Sequence, residues 1–170
     1  GRPVSAMGEC VVINVLFICS GNICRSPTAE GVFRSLVAEA GLAADIRVDS
    51  AGLGSWHAGE APDRRAQAAA RDRGFDLAGQ RARQVTAADF DKFDFIIGMD
   101  RENRTGLMKL CPAGAEDRVH QFLDFVKGAE QAEIPDPYYG SGDGFARVLD
   151  LVEAASHGLL AHIRANRLST

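Results

Sequence analysis

Two cysteines, two serines and an arginine fall within the eight residues CSGNICRS, 19–26. The stretch lies where a nearly continuous apolar run, VVINVLFI (11–18), gives way to a segment of helical periodicity, SPTAEGVFRSLVAEAG (26–41). A loop at such a junction can turn its backbone N–H groups inward around an anion if some residues accept left-handed or strained conformations, and Gly21 and Asn22 supply that tolerance. The helix N-terminus opening near Ser26 adds its positive dipole. Arg25 offers a planar fork for two phosphate oxygens, which lysine cannot match. On the floor of such a cradle the Cys19 thiol is expected to fall below its free pKa of about 8.5 and stand as a thiolate, with the Ser26 hydroxyl aimed at the sulfur. The Gly-Lys-Ser/Thr signature of a nucleotide-binding loop is absent, so the chemistry implied is phosphoryl transfer to sulfur. Ser20, Gly21, Asn22, Ile23, Cys24 and Ser26 are then the phosphate-binding loop around Cys19 and Arg25.

The elements that must position this loop read as an alternation. The run 11–18, β-branched and apolar, suits a first central strand buried on both faces, and 26–41 is a helix with Gly41 past its end. IRVDSAG (46–52) reads as a second strand and PDRRAQAAARDRG (62–74) as a polar, Ala-rich helix. FDFIIGMD (93–100) is a third strand whose Asp100 caps the helix RENRTGLMKLC. RVHQFLDF (118–125) is a weaker fourth strand, and GFARVLDLVEAASHGLLAHIRANR (144–167) is a long amphipathic closing helix. Strand and helix alternating throughout imply a parallel sheet with helices on both faces, and in such sheets ligands bind beyond the carboxyl ends of the strands, where CSGNICR lies.

Composition bounds the partners. At 170 residues, 46% apolar, the chain suits one globular domain, and a net charge of -4 argues against nucleic acid as the main partner. Residues 1–8, GRPVSAMG, lack periodicity and hold Met7 internally, so they read as a tail or vector-derived remnant, with the single domain over 9–170. No segment reaches the length of a membrane span. Without a recognisable signal peptide, Cys10, Cys19, Cys24 and Cys111 are expected to be reduced and the protein cytoplasmic. His57, His120, His157 and His162 are scattered without zinc-ligand spacing and read as surface or structural residues; no metal and no cofactor is expected.

The string CSGNICRSP, at the end of a buried strand and the start of a helix, resembles the low-molecular-weight protein tyrosine phosphatases of bacterial type, and the likeness runs from Val11 to the last helix. It implies an α/β fold of three layers, with a central four-stranded parallel sheet in the flavodoxin-like order 2-1-3-4. It also implies hydrolysis of phosphotyrosine without a metal, through a cysteinyl phosphate on Cys19.

A general acid is still needed, and IPDPYYGSGDGF (134–145) matches the family's late acid loop. On local grounds Asp136, between two prolines, has a turn aspartate as its plain alternative; the resemblance implies that it protonates the leaving oxygen and then activates the water. Tyr138 and Tyr139 suit a slot for an aromatic ring. Trp56, in SAGLGSWHAG, matches a position where the family often has an aromatic wall, the plain alternative being a core residue. Ile23 stands where related arginine phosphatases typically have threonine, and its apolar surface favours a phenyl ring over a guanidinium. Gln80, in AGQRARQVT, stands where eukaryotic members have a histidine supporting the loop asparagine; it can donate such a bond, or the support is missing.

Asp100 is sufficiently explained as a helix cap, and the arginines around Arg64, Arg71 and Arg81 as solvated faces. Thioredoxin-coupled arsenate reductases share the loop but need two further resolving cysteines, and only Cys111 in LMKLCPAG is available. A non-catalytic phosphotyrosine-binding or redox-sensing module would be expected to have lost Cys19, Arg25 or Asp136. Cys24 reads either as a redox guard, trapping a Cys19 sulfenic acid as a disulfide, or as filler beneath the loop. The implied partners are phosphotyrosine proteins, a bacterial tyrosine kinase among the candidates, and some relatives are exported virulence factors.

Overall fold

The carboxyl ends of four parallel strands form one edge of the molecule, and the loop carrying Cys19 leaves from the second of them in the sheet order. The structure, a computed structural model, describes residues 11–129, 132–138 and 143–168. Its elements are β1 (Ile13–Cys19), α1 (Arg25–Glu39), β2 (Ile46–Gly52), α2 (Arg64–Asp72), α3 (Asp89–Lys92), β3 (Phe95–Gly98), α4 (Arg101–Leu110), β4 (Val119–Gln121) and α5 (Asp143–Asn166). The sheet order is β2-β1-β3-β4, all parallel, as the resemblance implies. The N-terminal segment 1–8, Cys10 and Tyr139 lie outside the described residues.

Strand periodicity sorts β1 between two cores. Ile13, Val15, Phe17 and Cys19 face one, with Val32, Phe33 and Val37 of α1 and Val148, Val152 and Ile163 of α5. Leu16 and Ile18 face the other, with Phe90 of α3, Ile96 of β3 and Leu107 of α4. That places helices on both faces, three layers in all. Phe17 anchors the larger core, its ring 5.7 Å from Phe33 edge-on and 4.9 Å from Phe122.

Three local details depart from the sequence reading. β4 stops after three residues, because the chain turns at Phe122–Phe125 into a 3-10 turn closed by a capping box between Gln121 and Asp124. The short helix α3 has no counterpart in the expectation. α1 begins one residue early, at Arg25, and no side chain caps its N-terminus; the Ser26 hydroxyl faces the Cys19 sulfur instead. Its C-terminus follows the pattern expected: Gly41 at φ 74 closes a Schellman turn, with its N–H on Ala38 O and the Leu42 N–H on Val37 O.

Candidate active site

The loop 19–25 closes tightly because two neighbours lack side chains. A Cβ on Gly52, the last residue of β2, would lie 3.0 Å from the Ser20 carbonyl oxygen, so glycine there lets the loop rest on the strand end. Only Asn22 takes the left-handed conformation, at φ 60; Gly21 does not. Gly21 is required for a different reason: a Cβ on it would meet the His57 ring at 2.9 Å. The Asn22 side chain compensates the strain of its backbone by donating from Nδ2 to Ser26 Oγ (2.8 Å) and Ser50 Oγ (3.0 Å) while Oδ1 accepts the Arg83 N–H (3.0 Å).

Cys19 lies on the floor of this loop, 3% exposed. Its Sγ accepts the Asn22 backbone N–H at 3.3 Å and faces the Ser26 hydroxyl at 3.0 Å. Behind it runs a buried chain: Ser26 and Asn22 lead to Ser50, whose hydroxyl donates to Glu30 Oε1 at 2.7 Å. Burial pushes the Glu30 carboxyl up, against the opposing hydrogen bonds and charge of Ser50 and Arg34. Gln80 does not reach Asn22. Its Nε2 donates to Pro27 O (2.9 Å), and its Oε1 stands 3.5 Å from Ser50 Oγ, so Ser50 supplies the support that was looked for in Gln80.

Arg25 is 2% exposed and fixed by long-range partners. Nη1 donates to Asp100 Oδ2 (2.6 Å) and to the Ile134 carbonyl (3.0 Å), while Nη2 faces Asp136 Oδ2 at 3.6 Å. With Nη1 occupied, the edge open to a phosphate is the one carrying Nε and Nη2. Burial acts to lower the Arg25 pKa, but Cys19, Asp100 and Asp136 outweigh it and the guanidinium is held charged above its ordinary value. Asp100 thus does more than cap α4. Its Oδ1 accepts the Asn103 N–H at 2.7 Å as a cap does, and its other oxygen holds Arg25. Asn103 in turn reaches Ser20 Oγ at 3.3 Å.

The segment from Ile134 to Tyr138 is bolted to the end of β3 by the Ile134 N–H on Met99 O (2.8 Å). It brings Asp136 over the loop with its carboxylate 41% exposed, and Asp136 Oδ1 accepts the Tyr138 N–H at 3.0 Å. The Arg65 guanidinium lies over the Tyr138 ring and donates to its carbonyl oxygen (3.1 Å), tying this loop to α2. Cys19, Arg25, Ile23, Trp56, Asp136 and Tyr138 border one cleft of about 250 Å³. Trp56 is a wall and not a core residue, at 66% exposure.

His57, read as an ordinary surface histidine, also lines the cleft; its ring lies 6.4 Å from both the Trp56 and Tyr138 rings, and Nδ1 is 2.8 Å from Glu60 Oε2. Its position directly after Trp56 is the signal that could have found it. Cys24 borders the same cleft, buried and unbridged, and burial first, then Asp63, Cys19 and Asp136, push its thiol pKa strongly up. Cys111 ends α4, about 15 Å along the helix from the Asp100 end by helical rise. Among the described residues no cluster of three metal-ligating side chains occurs, and no helix is long and apolar enough to cross a membrane.

The cleft over Cys19 thus has the buried Arg25 and the partly exposed Asp136 at its border. A family model described as low molecular weight phosphotyrosine protein phosphatase matches residues 14–169. The low molecular weight protein-tyrosine-phosphatase YfkJ of Bacillus subtilis is 42% identical over 156 residues, 92% of this chain and 99% of that protein. The human low molecular weight phosphotyrosine protein phosphatase is 38% identical over 84% of this chain and 90% of its own length. A crystal structure of an Entamoeba histolytica protein tyrosine phosphatase superposes with a TM-score of 0.87 at 36% identity, covering 92% of this chain and 99% of that one. The chain belongs to the low molecular weight phosphotyrosine protein phosphatase family.

Proposed function

We propose that the protein hydrolyses phosphotyrosine in proteins, with Cys19 as nucleophile, Arg25 as phosphate ligand and Asp136 as general acid and base. The observation that carries this reading is the single cleft in which the Cys19 sulfur, with its Asn22 N–H and Ser26 hydroxyl partners, the open edge of Arg25 and the Asp136 carboxyl converge. The Cys19 thiolate attacks phosphorus; the S–P bond forms as the P–O bond to the tyrosine ring breaks, and Asp136 gives its proton to the departing oxygen. Asp136, now a carboxylate, takes a proton from water, whose oxygen attacks phosphorus. The S–P bond breaks, inorganic phosphate leaves and the thiolate is restored. Through both transfers the loop N–H groups and Arg25 hold the equatorial oxygens. Ser20, Gly21, Asn22, Ile23 and Cys24 complete the loop.

Trp56 and Tyr138, with Ile23 below them, favour an aromatic leaving group. The apolar Ile23 at the cleft disfavours phosphoarginine, and Cys111, at the far end of α4, is poorly placed to resolve an arsenate reductase intermediate. Cys24 is read as a redox guard: peroxide oxidises the Cys19 thiolate to a sulfenic acid, Cys24 condenses with it to a disulfide with loss of water, and a thiol reductant restores both. Burial holds Cys24 as a thiol, so it gives up its proton as the disulfide forms. The free thiols Cys19, Cys24 and Cys111 suit a reducing, cytoplasmic setting, and a tyrosine kinase of the same cell is one class of substrate protein.

The test is a substrate panel with two variants. Parent protein is expected to hydrolyse phosphotyrosine peptides in preference to phosphoserine and phosphoarginine peptides, with chelators without effect; Cys19→Ser abolishes turnover and retains phosphate binding. Asp136→Ala slows poor leaving groups far more than good ones, and an equal loss across a leaving-group series removes Asp136 from the acid role.

A further inference from the structure

Asp136 stands midway along the stretch Ile134–Tyr138, which is tied down at both ends. At the upstream end the Ile134 N–H donates to Met99 O (2.8 Å), and the Ile134 carbonyl accepts from Arg25 Nη1 (3.0 Å). At the downstream end the Tyr138 N–H lies on Asp136 Oδ1 (3.0 Å), and the Tyr138 carbonyl accepts from Arg65 Nη2 (3.1 Å). Pro135 and Pro137 stiffen the backbone on either side of Asp136, so the two anchors together place its carboxyl. The downstream anchor leads back to the loop of the nucleophile. Asp63 caps α2, its Oδ1 accepting the Arg65 N–H (2.8 Å), and both of its oxygens take the Arg65 side chain, Nε on Oδ1 at 3.1 Å and Nη2 on Oδ2 at 3.0 Å. The backbone N–H of Asp63 donates in turn to the Ile23 carbonyl at 2.8 Å. The two N–H groups of Arg65 Nη2 thus serve Asp63 and Tyr138 at once, which a planar guanidinium allows. Its carbon also lies 5.5 Å from the Tyr138 ring centre and 4.9 Å from that of Phe145, a buried residue in the first turn of α5.

We infer that Arg65 is a positioning residue for the acid step of aryl phosphate hydrolysis: by joining Tyr138 to Asp63, it fixes where Asp136 stands relative to the loop that holds Cys19. This rests on the proposed tyrosine phosphatase activity and adds the residue that sets its general acid in place. Arg65 does not border the cleft, so its effect on turnover passes through Asp136. Its side chain is half exposed, and an ion pair so placed adds little to stability; its loss frees the end of the stretch and leaves the fold. General acid catalysis contributes about 10²- to 10⁴-fold, and a displacement of about 1 Å can remove about 10²-fold of rate. That loss falls on substrates whose leaving oxygen needs the proton.

The experiment compares the parent with Arg65→Ala, Asp136→Ala and the double variant over a series of aryl phosphates of rising leaving-group pKa. Arg65→Ala is expected to lower kcat/KM for phenyl phosphate about 10- to 100-fold and that for p-nitrophenyl phosphate less than about threefold, so that log kcat/KM falls more steeply with leaving-group pKa. In the Asp136→Ala background the same change adds less than about twofold. The Ki of inorganic phosphate stays within about twofold of the parent, and the thermal midpoint within about 4 °C. An equal fall across the series, a further loss in the double variant, or phosphate inhibition weakened in step with turnover overturns the positioning role. The tie has a readout of its own: the Tyr138 amide proton, followed by nuclear magnetic resonance, exchanges with solvent faster in Arg65→Ala, and an unchanged rate overturns the tie. Failure of the parent to hydrolyse any aryl phosphate defeats the phosphatase reading and this role together, while the amide exchange still decides the tie alone.

Discussion

Asp100 holds Arg25 with one oxygen and caps α4 with the other, and the two jobs can be separated by substitution. The Arg25 Nη1 to Asp100 Oδ2 contact is 2.6 Å, between side chains 2% and 14% exposed, and the cap is the Asn103 N–H on Oδ1 at 2.7 Å. Serine at this position still caps a helix but is too short to reach Arg25; alanine does neither. Loss of a charge-assisted hydrogen bond costs about 1.5–3 kcal/mol, and loss of the cap about 1 kcal/mol more. At about 2–4 °C per kcal/mol for a domain of this size, Asp100→Ser should lower the thermal midpoint by about 3–12 °C and Asp100→Ala by a further 2–4 °C or so. Asparagine is a poor probe, since its single carbonyl oxygen can serve only one of the two donors. Competitive inhibition by inorganic phosphate should weaken about tenfold in both variants, because Arg25 loses the partner that aims its open edge. Midpoints by calorimetry and Ki values by steady-state inhibition decide it. A serine variant as stable as the parent refutes the ion pair, and equal midpoints for serine and alanine refute the cap.

Two further outcomes follow from buried titratable groups. Burial, then Asp63 and Cys19, hold the Cys24 thiol protonated in the fold, so unfolding releases a group that ionises near pH 8.5; stability should fall as pH rises above that value, and Cys24→Ser should flatten the fall in urea titrations. If the same variant, after peroxide treatment, recovers activity with dithiothreitol as completely as the parent, the guard role of Cys24 is lost. Burial, and next the charge of His162, lower the His120 pKa, against Asp124 and Asp117, with Phe95 and Phe125 packed at 5.5 Å from its ring. Below about pH 6.5 the unfolded chain then binds a proton that the folded His120 refuses, so stability drops as pH falls through that region; a His120→Phe variant with an unchanged acid-side slope removes this group as the cause.

What could be read along the chain was what the chain keeps together. Cys19, Arg25 and Ser26 sit on one loop between one strand and one helix, and the alternation of β1 between two cores follows from a period of two. β4 was overestimated because Phe122, Leu123 and Phe125 are as apolar in a 3-10 turn as in a strand, and the Gln121–Asp124 box that ends the strand has no hydrophobic signature. Ser50 was missed as the support of Asn22, 28 residues away, since a serine in a strand names no partner. Gly21 misleads in a more particular way: it suggests backbone freedom, yet its φ is not positive, and what it makes room for is the His57 ring, which only the folded chain brings to it.

Asp100 and Asp136 show why a sufficient local explanation does not exhaust a carboxylate. Each has a local reading that holds: Asp100 Oδ1 caps α4, and Asp136 Oδ1 accepts the Tyr138 N–H two residues on, as a turn aspartate does. An ionised carboxylate has about four acceptor sites, and a cap or turn uses one. In both residues the second oxygen points at the same guanidinium, Oδ2 of Asp100 at 2.6 Å and Oδ2 of Asp136 at 3.6 Å, on its two different terminal nitrogens. The difference in exposure then separates their roles. Asp100, largely enclosed, can only hold Arg25, whereas Asp136, 41% exposed at the mouth of the cleft, can exchange a proton with what enters it. Local geometry fixes where each carboxylate sits, and the oxygen that geometry leaves unused is the one available to Arg25 and the substrate.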